Sequence, residues 1–232
     1  MKNNSLIKYI LITLVVSFIV NIGVYEGSKL ITSGWHHTDM TTPLDLMIPA
    51  VPCTIVIYVA SYLVWLIFYF IVALGTKEDR EAQAAGILEG AGGFERDRFF
   101  AADALSRFIC LIFFLILPTT LVRPIPGNET IWELALSLIY MADTPDNLFP
   151  SIHCLASWFC WIGVRNRRDL HPAVRYLALV LAILICISTV TTKQHVIVDI
   201  FAGIFLAEFC YWVAGFDAVR NLYAGPMKKL LK

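Results

Sequence analysis

The chain has little charge and no excess of either sign. Lys and Arg number 18, Asp and Glu number 18, and together they are 16% of the residues. Zero net charge leaves no basic footprint, which excludes a nucleic-acid partner. The six cysteines contain no C-x-x-C pair. Cys53, Cys110, Cys154, Cys160, Cys186 and Cys210 all lie in apolar stretches and read as small apolar filler, so they say nothing about redox compartment. Low-complexity tracts and internal repeats are missing, and one membrane domain over residues 1–232 is the economical reading. The Gly-rich stretch from Gly86 to Phe94 has no phosphate-loop spacing and reads as a flexible loop. No small-residue cleavage site follows the first apolar run, which ends in Tyr25, Glu26 and Gly27. That run is expected to be a retained span rather than a removed signal peptide.

What the chain does have is apolar sequence. Hydrophobic residues make up 58% of it, against about 45–50% in soluble domains. The excess lies in long runs, so the expected fold class is all-α, an integral membrane bundle of six transmembrane helices. The candidate spans are residues 6–24, 46–74, 108–122, 149–164, 174–190 and 196–214. The third and fourth are shorter than the about 20 residues a bilayer core requires, so they are expected to extend into flanking polar residues. The basic residues divide unevenly between the two faces these spans define. Fifteen of the 18 fall on the face carrying both termini; Lys29, Arg123 and Lys193 fall on the other. The positive-inside rule therefore predicts cytoplasmic termini and an extracytoplasmic face bearing those three cations.

Three span ends on that outer face carry unusual groups. Arg123 and Pro124 end the third span. Pro150, Ser151 and His153 open the fourth, and Lys193, His195 and Asp199 open the sixth. Two cations, a hydroxyl and two helix N-termini suit an anion with several oxygens. Pro150 suits a first helical position, where its missing N–H costs nothing. His195 and Asp199 are four apart, hence on one helical face. The carboxylate can orient the imidazole, leaving the other ring nitrogen to act as a nucleophile. His153 can protonate a leaving oxygen. This combination suits phosphoryl transfer through a phosphohistidine with no metal and no cofactor, because Arg and Lys hold the charge. Ligation of a metal or haem by the two histidines is a further reading, one that leaves both cations unexplained.

The three stretches resemble the motifs of the type-2 phosphatidic acid phosphatase superfamily, in the same order and the same relation to the spans. The resemblance implies a metal-independent lipid phosphatase or phosphotransferase. Carried over residue by residue, it makes Arg123 and Ser151 phosphate-binding, His153 the acid, His195 the nucleophile and Asp199 its partner. This chain has Ile116 where the first motif usually has lysine, Ile152 where the second has glycine, and Thr189 where the third has arginine. Lys193 is expected to replace one of the missing cations. The string from Asp143 to His153, with Asp146 and Asn147 as possible secondary site residues, is similar to the branch that includes inositol phosphorylceramide synthase-like proteins.

The expected function is hydrolysis of a phosphate ester or pyrophosphate of a lipid (a phospholipid, isoprenoid or sphingolipid phosphate) at the extracytoplasmic face. One alternative is a headgroup phosphotransferase, in which an inositol- or choline-type alcohol takes the place of water. Another is a non-enzymatic lipid or anion transporter. Glu208, inside the sixth span, lies too deep for the phosphate and is expected to make a structural hydrogen bond. His36 and His37 belong to an aromatic outer loop that either lies at the interface or caps the site.

Overall fold

The computed structural model describes residues 2–84 and 93–230. Most of the Gly86-to-Phe94 loop lies outside the described residues. Among the described residues, ten α-helices run in the order α1 (Lys2–Thr32), α2 (Pro43–Met47), α3 (Ile55–Ala73), α4 (Lys77–Ala84), α5 (Phe94–Ile116), α6 (Ile131–Ala142), α7 (Ile152–Arg165), α8 (Pro172–Thr191), α9 (Ile197–Val213) and α10 (Asp217–Leu230). The only described strands are two-residue pieces, Thr38–Asp39 and Thr119–Thr120, paired in parallel. An antiparallel bridge joins Thr120 to Asp146.

Among the described residues, four helices are long and apolar enough to cross a membrane, or five if α9 and α10, bent by 86° at their junction, form one span. The expected six therefore become four to five by length and composition. The remaining one, α7, has 14 residues, about 21 Å of helix. It is the most enclosed helix, packed between α3, α8 and α9. Large apolar side chains such as Ile19, Val180, Phe201 and Phe205 stand exposed on the outside of the bundle. That arrangement suits lipid, where backbone groups are satisfied within each helix and the outer side chains need no polarity.

The expected boundaries shift for identifiable reasons. The single long span over residues 46–74 is broken. Pro49 and Pro52 cannot continue a helix hydrogen-bond ladder, so α2, capped by Thr42, is followed by a 3₁₀ turn at Pro52–Thr54 before α3. The third span starts far earlier than residue 108. Its polar first half is helical because its charges find partners: Arg107 pairs with Asp103 at 3.0 Å, and the Tyr9 hydroxyl donates to Asp97 at 3.3 Å. Pro118 follows its end, and the two-residue strand Thr119–Thr120 leads on toward Arg123. Arg107 thus sits inside a helix, not in a loop on the basic face. Pro150 is not the first helical residue of α7. Ser151 is the N-cap, its hydroxyl accepting from the Cys154 N–H at 3.3 Å, and Pro150 lies before it, joined to Phe149 by a cis peptide bond. The residues from Lys193 to His195 form a turn rather than the start of α9, with Lys193 at φ 54°.

The helix directions alternate. The C-terminal ends of α1, α5 and α8 meet the N-terminal ends of α3, α7 and α9 at one end of the bundle. The opposite end gathers Arg96, Arg98, Arg167 and Arg168 around Gly75 and Asn166. Glu208 receives both guanidinium nitrogens of Arg165, at 2.5 and 3.0 Å, and the Trp158 indole at 2.9 Å. It is a structural anchor between α7 and α9, as its depth suggested.

Candidate active site

The site is built where α7 and α9 begin. Gly203 on α9 makes their approach possible: a Cβ there would lie 2.7 Å from the Ser151 carbonyl oxygen and 3.2 Å from the Leu155 nitrogen. The close approach lets the Ser151 N–H donate to the Asp199 carbonyl at 3.2 Å. Asp199 is 1% exposed, and its Oδ2 accepts twice. One donor is the Val196 N–H at 3.1 Å, which fixes the carboxylate at the helix start. The other partner is Nδ1 of His195, also at 3.1 Å. The Thr189 carbonyl accepts the N–H groups of both Gln194 and His195, holding the turn beneath them. Thr189 therefore contributes its backbone where the family motif has arginine.

His153 lies on the facing wall. Its ring centroid is 6.0 Å from that of His195. Tyr58 stacks on it at 4.4 Å, with Trp65 at 5.1 Å and Tyr62 at 5.7 Å. Trp65 is itself held by donating to the Ser157 hydroxyl at 2.9 Å. The His153 Nε2 is buried with no hydrogen-bond partner among the described residues. Packing alone thus orients this ring, and its polar edge awaits a partner.

Both histidines line a small cavity of about 10 Å³, together with Tyr25, Tyr58, Phe114, Asp143, Asn147 and Gln194. That volume admits roughly one water. Next to it lies a much larger cavity of about 720 Å³, lined chiefly by apolar and aromatic side chains of α1, α3, α6 and α7, with Asp103 and Arg107 of α5. Tyr25, Tyr58, Asp143, Ile152 and His153 border both.

Arg123 stands just behind the small cavity. Its guanidinium donates to the Asp143 carbonyl and to the Gln194 side-chain oxygen, and it lies 4.7 Å over the Tyr140 ring. Its Nε is buried without a partner among the described residues. The Asp143 carboxylate accepts from Lys29 at 2.5 Å and Tyr25 at 2.7 Å. Burial opposes its ionisation, but Lys29, Tyr25 and Arg123 outweigh that and hold its carboxyl below the usual carboxylate range.

The other expected site residues are placed differently. Ser151 is fully buried as the α7 cap. Lys193 does not border either cavity; its amino group donates to the carbonyls of Asp45 at 2.9 Å and Ile48 at 2.6 Å. Asn147 takes φ 55° and donates to Ser28 and Thr32, both at 3.1 Å, tying the motif loop to α1. Asp146 lies outside the cavity, 4.0 Å from His37. His37 joins the outer loop layer rather than the histidine cavity. Ile116, at the family's lysine position, is 71% exposed on the outside of the bundle.

Sequence reasoning missed four contributors. Gln194 and Asp143 occupy Arg123, and Tyr58 stacks on His153. Asp45 was also unforeseen: its Oδ1 accepts the Ile197 N–H at 2.7 Å, capping α9 from another element. Its burial opposes ionisation, but Thr42, the Ile197 N–H and Lys193 lower its pKa overall. Asp143 and Gln194 left traces in the sequence, as letters of the two strings beside the histidines, Asp143 to His153 and Thr192 to His195. No group of three or more potential metal ligands occurs among the described residues.

Comparison with known families decides the assignment. The description "PAP2 superfamily" matches residues 99–215, half of the chain. The chain belongs to the PAP2 superfamily. Its matched segment holds Arg123, Ser151, His153, His195 and Asp199, and members of the superfamily are phosphatases and phosphotransferases. An enzyme of that kind, built on the apolar helices of an integral membrane protein, fits this PAP2 chain. The match stands at superfamily level and does not single out the inositol phosphorylceramide synthase-like branch. No curated protein and no solved structure matches the chain.

Proposed function

We propose that this PAP2 protein is a multi-pass lipid phosphatase whose site faces the extracytoplasmic side, with both termini cytoplasmic. The observation that carries the proposal is the pairing of His195 with Asp199 opposite His153, in a cavity that adjoins a much larger apolar one. The lipid's hydrocarbon occupies the larger cavity and its phosphate enters the smaller. Topology rests on the basic-residue split, since the cations at the site end are Lys29, Arg123 and Lys193.

In this reading His195 attacks through Nε2, because Nδ1 is engaged by Asp199. A phosphorus–nitrogen bond forms as the bond to the lipid oxygen breaks, and that oxygen takes a proton from His153. Water then attacks the phosphohistidine, giving its proton to His153 and releasing inorganic phosphate from His195. Asp199 orients the ring and stabilises the positive charge it acquires. The phosphate displaces Gln194 from Arg123, which widens the cavity and gives the guanidinium an anionic partner. The N–H groups of Ile152 and His153 lie in the first turn of α7, where a helix leaves donors unsatisfied. Ser151 acts by capping that turn. Lys193 is an anchor for the turn carrying His195 rather than a phosphate ligand.

The test is incubation of detergent-purified protein with phosphatidate carrying labelled phosphorus. Release of inorganic phosphate supports hydrolysis. A new labelled lipid formed with an added alcohol indicates headgroup transfer. Lipid binding without any chemistry refutes the enzymatic reading in favour of transport.

A further inference from the structure

The turn that carries His195 is held by a segment from far away in the chain. Asp45 of α2 is 6% exposed and lies 152 residues from Ile197. Its Oδ1 accepts the Ile197 N–H at 2.7 Å. Its Oδ2 accepts the Thr42 N–H at 2.8 Å and the Thr42 hydroxyl at 2.5 Å, which fixes the carboxylate. The Asp45 carbonyl accepts from Lys193 at 2.9 Å. The Val51 N–H donates to the Thr191 carbonyl at 2.8 Å. The stretch from Thr42 to Val51 therefore grips the chain on both sides of His195, at Lys193 before it and at Ile197 after it.

The sequence at the start of α9 explains why outside help is needed. A helix start leaves N–H groups free, and the N-cap side chain ordinarily accepts one of them. The N-cap of α9 is Val196, whose side chain has no acceptor. Two carboxylates divide the donors instead. Asp199 takes the Val196 N–H and Asp45 takes the Ile197 N–H. Both charges also suit the positive end of the helix.

That division matters because Asp199 has a second task. Its Oδ2 serves the Val196 N–H and His195 Nδ1 together, each at 3.1 Å. Its Oδ1 is buried with no partner among the described residues. Without Asp45 the Ile197 N–H would lack an acceptor, which is costly at a packed helix start. Asp199 lies two residues further on, in the same turn, with an oxygen to spare. Turning that oxygen to Ile197 rotates the carboxylate and draws Oδ2 off the imidazole.

We propose that Asp45 is a positioning residue for His195: by taking the Ile197 N–H, it keeps the Asp199 carboxylate on the imidazole. Asp45 borders neither cavity, so it acts through Asp199 and not on the substrate. The inference rests on the phosphatase reading, in which His195 is the nucleophile.

The experiment is a double-variant cycle read by phosphate release from phosphatidate in detergent. Asp45→Ala leaves the Ile197 N–H unclaimed. A loss of about tenfold or more in kcat is expected from the displaced nucleophile, with KM little changed because neither cavity is touched. Ile197→Pro then removes the N–H itself. Proline suits the first helical position, and Val196 before it is extended, at φ −102° and ψ 165°, as the residue before a proline prefers. In Asp45→Ala/Ile197→Pro no donor is left to draw Asp199 away, and kcat should return most of the way to the wild-type value. A residue that only braced the loop would give no such rescue. Rates are taken per molecule in the monodisperse gel-filtration peak. Should Asp45→Ala not give that peak, Asp45→Ser, too short to reach Ile197, carries the same comparison. A wild-type kcat without Asp45, a loss confined to KM, or a loss that the added proline does not relieve overturns the inference. If the wild-type protein releases no phosphate from any lipid phosphate, the phosphatase reading fails and takes this inference with it.

Discussion

Gly203→Ala tests whether the meeting of α7 and α9 creates the site. The added methyl would lie 2.7 Å from the Ser151 oxygen, 3.2 Å from the Leu155 nitrogen and 3.3 Å from Cys154 Cβ. Two of these neighbours are backbone atoms at the start of α7, so no side chain can swing aside. The helices must separate by several tenths of an ångström before the contact becomes ordinary. Overpacking of this kind costs about 1–3 kcal/mol of stability. The displacement falls on the Ser151-to-Asp199 backbone bond, already 3.2 Å long. It therefore moves the His195–Asp199 pair relative to His153. A misplacement approaching 1 Å costs about 10²-fold in rate, so a loss of about tenfold or more in kcat is expected for the smaller shift. The control is Gly27→Ala on α1, where an added Cβ meets nothing within 4 Å. Removing a mid-helix glycine there should be neutral or stabilising by up to about 1 kcal/mol. The assay is thermal unfolding in detergent alongside phosphate release from a lipid phosphate. If Gly203→Ala matches Gly27→Ala in both melting temperature and kcat, the close approach is not what aligns the site.

The two histidines should separate by leaving group. His153→Ala is expected to lose about 10²–10⁴ on a lipid phosphate but to retain a measurable fraction on nitrophenyl phosphate, whose leaving group needs no proton; His195→Ala should lose both, and lipid turnover in His195→Ala would remove the mechanism. Arg123→Met should reduce kcat/KM far more than Lys193→Met, by about 10²–10³ if it contacts the transition state, while Lys193→Met should mainly lower the melting temperature; equal rate losses would return Lys193 to the phosphate. The Asp143 carboxyl has a depressed folded-state pKa, so its link to Lys29 and Tyr25 stabilises fully above the ordinary carboxylate range and is lost as pH falls through the depressed value. Asp143→Asn should flatten that part of the melting-temperature profile between about pH 5 and pH 2, and an unchanged acid limb would mean that the link carries no stability.

The sequence determined what depends on local order and composition. Long apolar runs require helices in lipid, so the all-α class was legible, although the boundaries followed prolines and paired charges rather than hydropathy alone. Spacing suggested that His195 and Asp199 meet, and they do, but not on one helical face: His195 lies in the turn before α9 and Asp199 in the first turn of that helix. The order of the motifs was enough to suggest the superfamily. What the sequence left open depends on side chains brought together from distant segments. Lys193 looked like a phosphate ligand because it is a cation two residues from His195. Its amino group is instead held by the carbonyls of Asp45 and Ile48, some 145 residues away along the chain. Arg107 looked like one more loop cation on the basic face. It lies inside α5 because Asp103, one turn earlier, and Tyr69, on another helix, make a buried guanidinium tolerable. Neither placement can be read from a pattern of neighbours. A charge's role is set by which acceptors the folded bundle brings within about 3 Å of it, and only the packing of α1, α3, α5, α7 and α9 against one another decides that.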